Sequence, residues 1–398
     1  MAISKNFYLI FILGSLAALG PFSIDMYLPG FDAIAQDLGT TVPKVSLSLS
    51  GFFIGISFGQ LLYGPLLDKF GRKKPLYIGL VLYVISSLAC LAVKDINQLI
   101  ILRFVQAIGS CATAVASVAM VRDLFSVKES PKVFASLMLV IAISPMLAPT
   151  AGGYLIAAYG WQSVFVFLAV MAALMLVSVV FFLPESFTPD PAYSLKPSPI
   201  IKSFLGVIVE PQFYTYALVS ALCFAGLFTY VAASPVVFMN LYGVSKTGYG
   251  WIFALLSVAF IGSSQVNSLL LRWFSSKSIV KWALLCQTLF SILFLTAALN
   301  DMLNLYSTIT FIAMFLACLG LINPNASALS LAPFFKNAGS ASALMGAIQM
   351  GLGALASVLV SLFPEDSVLP MPLIMTVVVT AALLIHTAGI KKLRATDR

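Results

Sequence analysis

Long apolar runs broken by short polar segments dominate the chain. Stretches of helix length with almost no charge recur at 6–29, 44–66, 75–93, 96–121, 133–157, 161–183, 212–239, 247–271, 279–299, 302–332, 337–363 and 370–390. At about 1.5 Å of rise per residue, some twenty residues of helix cross a hydrocarbon core about 30 Å thick. The pattern predicts an all-α polytopic membrane protein with twelve transmembrane helices. An even count places both termini on one side.

The longest polar segment, Pro184 to Gln212, divides the spans six and six. Its Pro-rich part to Pro199 reads as linker, and Ile200 to Val209 as a short helix lying at the membrane surface. The expected organisation is a six-helix bundle over 1–183, a linker over 184–211 and a second six-helix bundle over 212–398. The halves read as pseudo-repeats. Gly59-Gln60 through Arg72-Lys73 and Ser264-Gln265 through Lys277-Ser278 occupy the same place in the second and eighth spans, 205 residues apart. A site at the interface of two such halves is a common plan for secondary transporters.

Composition agrees with the pattern: 61% of residues are hydrophobic and 9% charged, against about 25% charged in soluble domains. The net charge of +8 points to topology rather than to nucleic acid, because the basic residues sit in short loops. With the N-terminus inside, 18 of the 22 Lys and Arg fall on inner segments: Lys5, Lys69, Arg72, Lys73, Lys74, Arg122, Lys128, Lys132, Lys196, Lys202, Arg272, Lys277, Lys281, Lys336, Lys391, Lys392, Arg394 and Arg398. Only Lys44, Lys94 and Lys246 fall outside, and Arg103 lies within a span. That asymmetry follows the positive-inside rule and supports the span count.

Several classes are disfavoured. The five cysteines, Cys90, Cys111, Cys223, Cys286 and Cys318, lie in apolar runs without a C-x-x-C pair, so neither disulfides nor a metal centre is expected. His386 reads as an interfacial residue. No G-x-x-x-x-G-K-[ST] loop cradles a nucleotide, and no cofactor or enzymatic activity is expected. The first apolar run is too long for a signal peptide and has no A-x-A site, so it reads as the first helix.

Two charges stand inside spans. Asp25 ends the first run, in Ser23-Ile24-Asp25-Met26-Tyr27-Leu28-Pro29, and Arg103 lies in the fourth. Each costs about 2.5–3.5 kcal/mol on insertion scales. A carboxyl within the membrane that can take up a proton is a candidate coupling site, the alternative being an Asp bonded to a neighbouring polar group. Counted from the helix ends, both charges fall in the same half of the bilayer. They are expected to interact, directly or through a polar cavity, or to form a permanent ion pair.

The loop Gly64-Pro65-Leu66-Leu67-Asp68-Lys69-Phe70-Gly71-Arg72-Lys73-Lys74 offers a turn at Gly71 and charges at one membrane boundary. Asp68, Arg72 and Asp123 are expected to form a conformational latch, with Gly64 allowing close helix approach. Small residues recur every four positions at Gly51, Gly55 and Gly59, at Pro145, Pro149 and Gly153, and at Gly339, Ala343 and Ala347. Such faces let helices approach closely. Tyr27, Tyr230, Phe238, Asn323, Asn325 and Gln349 are expected to line a central cavity poor in charge, and Gln106 is a further candidate. Aromatic surface with a few amides suits amphipathic cargo.

Gly64 to Lys74 resembles the signature loop of the major facilitator superfamily. Arg103, Gln106 and Gly109 are similar to the family's span-four motif. Ser144-Pro145-Met146-Leu147-Ala148-Pro149-Thr150-Ala151-Gly152-Gly153 resembles its span-five antiporter motif. Asp25-Met26-Tyr27-Leu28-Pro29, Ser234-Pro235 and Ala338 to Leu344 with Gln349 narrow the likeness to the Bcr/CflA group of drug-efflux transporters. In the second half, Leu269 and Trp273 replace Gly64 and Asp68, and Lys277 alone keeps a charge opposite Arg72, so no equivalent latch is expected there.

The resemblance implies a proton-coupled multidrug exporter of the bacterial inner membrane, linked to antibiotic resistance. Both termini would be cytoplasmic and the working unit a monomer. Asp25 and Arg103 would couple the proton, and Pro145, Pro149, Gly152 and Gly153 would lie where the halves move. The other readings are an exporter dedicated to one endogenous siderophore, peptide or metabolite, and a passive channel or receptor.

Overall fold

The computed structural model describes residues 2–126, 129–189, 195, 197–334, 338–364 and 366–396. Lys128, Lys196, Lys336 and Arg398 of the basic set lie outside these residues, as do 190–194 of the expected linker. Fourteen helices follow in order: α1 (Ala2–Asp25), α2 (Phe31–Asp37), α3 (Val42–Phe70), α4 (Lys73–Ala89), α5 (Ile96–Leu124), α6 (Ser130–Tyr159), α7 (Gln162–Phe182), α8 (Pro197–Ile208), α9 (Pro211–Ser234), α10 (Lys246–Leu270), α11 (Ser276–Leu299), α12 (Leu305–Leu331), α13 (Ala338–Ser361) and α14 (Pro370–Thr396). The described residues contain no strand and twelve stretches long and apolar enough to cross a membrane.

The ends follow from local chemistry. Asp95 caps α5, its carboxylate accepting from the Asn97 and Gln98 amides at 2.9 and 3.0 Å. Asn304 and Ser307 cap α12 reciprocally. Gly71 stops α3 at φ 81°, in the left-handed region that favours glycine. The first span departs from the expected single run. It breaks after Asp25, passes through a turn at Leu28–Gly30 and continues as α2. The seventh extends past Ser234 as a π-helical turn, Pro235–Leu241.

Large apolar residues face outward, among them Ile78, Ile85, Leu174, Phe181, Trp251 and Trp282. Small hydroxyls lie inside, including Ser86, Ser87, Ser117 and Ser291. The hydroxyls return to the preceding turn, as Ser117 does to the Thr113 carbonyl at 2.6 Å. That satisfies them without a distant partner and keeps the packing surface narrow enough for close helix approach.

Two six-helix bundles result, meeting along α3 with α13 and along α6 with α10. The Gly51, Gly55 and Gly59 face gives the expected close helix approach, and it does so inside the first bundle rather than between the halves. Cβ atoms there would press on Ile100, Phe104 and Cys111 of α5. A different stripe of α3 meets the second bundle. Ser50 donates to Ser357 Oγ at 2.8 Å, Phe53 meets Phe228 at 4.2 Å between centroids, and Ser57 donates to the Ala347 carbonyl at 2.8 Å. The helical period of 3.6 separates the two stripes.

Candidate functional site

A cavity of about 820 Å³ lies between the bundles and opens at the end that carries Asp68, Arg72, Arg122 and Asp123. The α3 wall contributes Gln60 and Gly64, the α13 wall Gly339, Ala343 and Gln349, and α8 stands at the mouth with Ile200, Ser203 and Phe204. Beside Gln349 runs a chain of polar groups: the Gln349 amide donates to Ser220 Oγ at 2.9 Å, and Ser220 donates to Asn323 Oδ1 at 2.9 Å. Gly64 and Gly339 have nothing within 4 Å of a Cβ position, so neither is in close contact here.

At the opposite end the bundles meet. A Cβ on Gly153 would lie 2.8 Å from the Lys246 carbonyl oxygen of α10, and one on Gly250 2.7 Å from Thr150 Cα of α6. Gly152 serves a neighbouring contact: a Cβ there would overlap the Met26 carbonyl, so this glycine lets the turn after Asp25 seat against α6. Gly153→Val should favour separation at this end. Overpacking costs typically about 1–3 kcal/mol, a shift of about 5- to 150-fold against the closed arrangement. Probe accessibility of cysteines placed on α6 and α10 reads that shift.

Asp25 is buried at the end of α1. Among the described residues no group hydrogen bonds its carboxyl and no cation pairs with it. It lies within electrostatic reach of Tyr230 and Tyr249, which the second bundle contributes. The Tyr249 hydroxyl is 2.7 Å from Ser234 Oγ. The Tyr230 hydroxyl is buried with no hydrogen-bond partner among the described residues, its ring stacked on Phe253 at 5.4 Å.

Arg103 does not pair with Asp25. It is fully buried, and its guanidinium donates to Gln106 Oε1 and, at 2.6 Å, to the Ser23 carbonyl, two residues before Asp25. The faces of Tyr27 and Phe52 lie 4.3 and 4.2 Å from it. Ring faces and neutral acceptors stand in for a carboxylate, while Nε is buried with no hydrogen-bond partner among the described residues. Gln106 in turn donates to Ser87 Oγ at 2.6 Å.

At the cavity mouth Arg72 Nε donates to Asp123 at 2.8 Å and its Nη1 to Asp68 at 2.8 Å. Burial works to lower the Arg72 pKa, but its hydrogen bonds and attraction to Asp123 and Asp68 outweigh burial and raise it, so the guanidinium stays charged. The segment after α7 completes the cluster. Glu185 accepts from the Arg72 amide at 2.8 Å, Ser186 donates to Asp123 at 3.0 Å, and the Phe187 ring lies 4.2 Å from the guanidinium. All these partners belong to the first six spans or the segment directly after them. Arg72→Ala leaves Asp68 and Asp123 without their cation. Asp68 is 45% exposed, so the expected loss is about 1–3 kcal/mol of stability, measured by thermal unfolding in detergent. Arg72→Lys should recover only part, lacking the planar fork.

Of the residues expected around cargo, Gln349 lines the cavity and Asn323 joins it through Ser220. The rest lie elsewhere. Tyr27 packs on Phe31 and Arg103, Phe238 is enclosed near Tyr242 and Tyr249, and Gln106 is held by Arg103. Tyr230 sits in the closed contact near Asp25. Asn325 donates to Asn267 Oδ1 at 2.6 Å, tying α12 to α10. Sequence reasoning missed Gln60, Ser220, Phe204, Tyr249 and Glu185. Gln60 and Ser220 had a faint signal as polar residues inside apolar runs, and the others had none.

The Major Facilitator Superfamily profile matches residues 11–358. A bicyclomycin resistance protein homolog from Haemophilus influenzae is 31% identical over 367 residues, covering 92% of this chain and 92% of that protein. A chloramphenicol resistance protein from Pseudomonas aeruginosa is 28% identical, covering 92% of this chain and 88% of its own. Among solved structures, a D-xylose–proton symporter superposes with a TM-score of 0.75 at 14% identity, over 96% of this chain and 97% of that one, a likeness of fold. Twelve spans in two bundles, a cavity between them and a family match over most of the length lead to one assignment: the chain belongs to the Major Facilitator Superfamily of membrane transporters, within its Bcr/CflA-type group.

Proposed function

We propose that this transporter exports amphipathic drugs or related small molecules in exchange for protons, with its two bundles rocking to open the cavity on either side in turn. The observation that carries the reading is Asp25, buried without a hydrogen-bond or ion-pair partner among the described residues and within electrostatic reach of Tyr230 and Tyr249 of the second bundle. An unpaired carboxylate in such surroundings is costly, and a proton removes that charge. Separating α6 from α10 would admit water to the same contact, so the proton on Asp25 and the arrangement of the bundles bias each other. Packing at the far end supports a two-state carrier over an open pore.

The energetics are adequate. One proton moving inward supplies about 2.3 kcal/mol per 100 mV and about 1.4 kcal/mol per pH unit. For neutral cargo that sustains a concentration ratio of roughly one to three powers of ten. The reading places the protein as a monomer in the bacterial cytoplasmic membrane, with both termini and the charged cavity mouth inside. Names of the relatives suggest chloramphenicol and bicyclomycin as first cargoes to try. The test is reconstitution into vesicles with an imposed pH gradient. Accumulation that collapses with a protonophore is expected; equilibration unaffected by the gradient would reject proton coupling.

A further inference from the structure

Among the described residues that line the cavity, Phe204 carries the only aromatic ring. It comes not from a membrane span but from α8, between the two halves. Two contacts fix how this helix is turned. Ser203 donates to Ser340 Oγ of α13 at 3.0 Å. Val207 is fully buried in a cluster with Phe213, Ala217 and Ala341. Ile200, Ser203, Phe204 and Val207 follow the spacing i, i+3, i+4, i+7 of a single helix face, and that face looks toward the bundle. Ile201, Leu205 and Ile208 are exposed on the opposite side. Phe204 therefore meets the cavity with part of its ring uncovered, although the far face of α8 could have carried a ring into lipid.

The wall across from it carries Asp68, Arg72, Arg122 and Asp123. Arg72 is committed to the two carboxylates, while Arg122 has no hydrogen bond or ion pair among the described residues. The mouth thus offers one ring face, the flanking apolar side chains of Ile200 and Met345, and a polar wall opposite.

We infer that Phe204 is a cargo-binding residue: it stacks on the aromatic part of amphipathic cargo as the molecule enters between the bundles, and so favours cargo with an aromatic ring over non-aromatic cargo of similar size. The inference rests on the reading of this cavity as the cargo path. Because α8 is held to α13, the ring travels with the second bundle and with Gln349, and cargo stacked on it meets the Gln60 wall of α3 as the mouth narrows.

The test is equilibrium binding to the purified full-length protein, without any gradient, of chloramphenicol, which has a nitrophenyl ring, and bicyclomycin, which has no aromatic ring. Aromatic pairing beyond area burial predicts that Phe204→Leu weakens chloramphenicol binding about two- to tenfold. Bicyclomycin binding should stay unchanged, and Phe204→Tyr should keep the affinity of the unaltered protein. Leucine preserves apolar packing, and an unaltered melting curve verifies the fold. Equal weakening for both compounds, unchanged chloramphenicol binding, or no saturable chloramphenicol binding by the unaltered protein overturns the inference. Failure of the export reading is distinct: ring-dependent binding would persist while the vesicles showed no gradient-driven movement.

Discussion

Asp25→Asn is expected to abolish uphill transport while leaving the protein folded and inserted. The cargo ratio across vesicles bearing a pH gradient should fall from roughly one to three powers of ten to unity. The reason lies in the surroundings of the carboxyl. Among the described residues it holds no hydrogen bond and no ion pair, so asparagine, of nearly the same size, breaks no contact. What is lost is the ability to gain and lose a proton. The melting temperature should therefore stay close to that of the unaltered protein, within the change that about 1 kcal/mol produces. Had Asp25 been a packing residue, the variant would lose stability and keep its proton dependence. Undiminished gradient-driven efflux from the variant would remove Asp25 from the mechanism.

Arg103→Leu is expected to do the opposite, costing stability before it touches coupling. Its removal strands the buried Gln106 Oε1 and the Ser23 carbonyl, which Arg103 now serves. Each stranded acceptor costs about 1–3 kcal/mol. Loss of the stacked faces of Tyr27 and Phe52 adds about 0.5–2 kcal/mol. Relief of a desolvated charge offsets part of this, leaving a net destabilisation of about 2–4 kcal/mol. Arg103→Lys keeps the charge but cannot reach both acceptors at once, so it should recover little. Thermal unfolding in detergent measures the loss. If Arg103 acted only by tuning Asp25 through its charge, the Leu variant would instead melt normally and shift the pH profile of transport.

Much of the architecture is legible in the sequence. Helix length and near-absence of charge located the spans, because nothing else satisfies both the backbone and the lipid over that distance. Local spacing located the cluster of Asp68, Arg72 and Asp123, since Gly71 and the i,i+4 relation of Asp68 to Arg72 leave few other partners. The relation of Asp25 to Arg103 could not be read that way. Similar depth in the bilayer constrains one coordinate, and the rotation of each helix decides the others. Rotation likewise separated the glycine stripe of α3 from the stripe that meets α13.

The cavity wall was the least legible part. Tyr27 and Phe238 carry the residue types expected around cargo, yet both face closed packing. Apolar residues dominate this chain, and composition alone cannot distinguish a ring against protein from a ring against cargo. Phe204 carries no such signal, because it lies in a surface helix rather than a span. Its direction depends on Ser203 meeting Ser340, 137 residues away in sequence.

The most direct measurement is infrared difference spectroscopy of the carboxyl stretch, comparing the unaltered protein with Asp25→Asn as cargo is added. Exchange at this residue predicts that cargo binding removes a protonated-carboxyl band with release of a proton to the medium, and that the variant shows neither. A carboxyl band that stays the same from about pH 5 to about pH 9, with and without cargo, would contradict the mechanism.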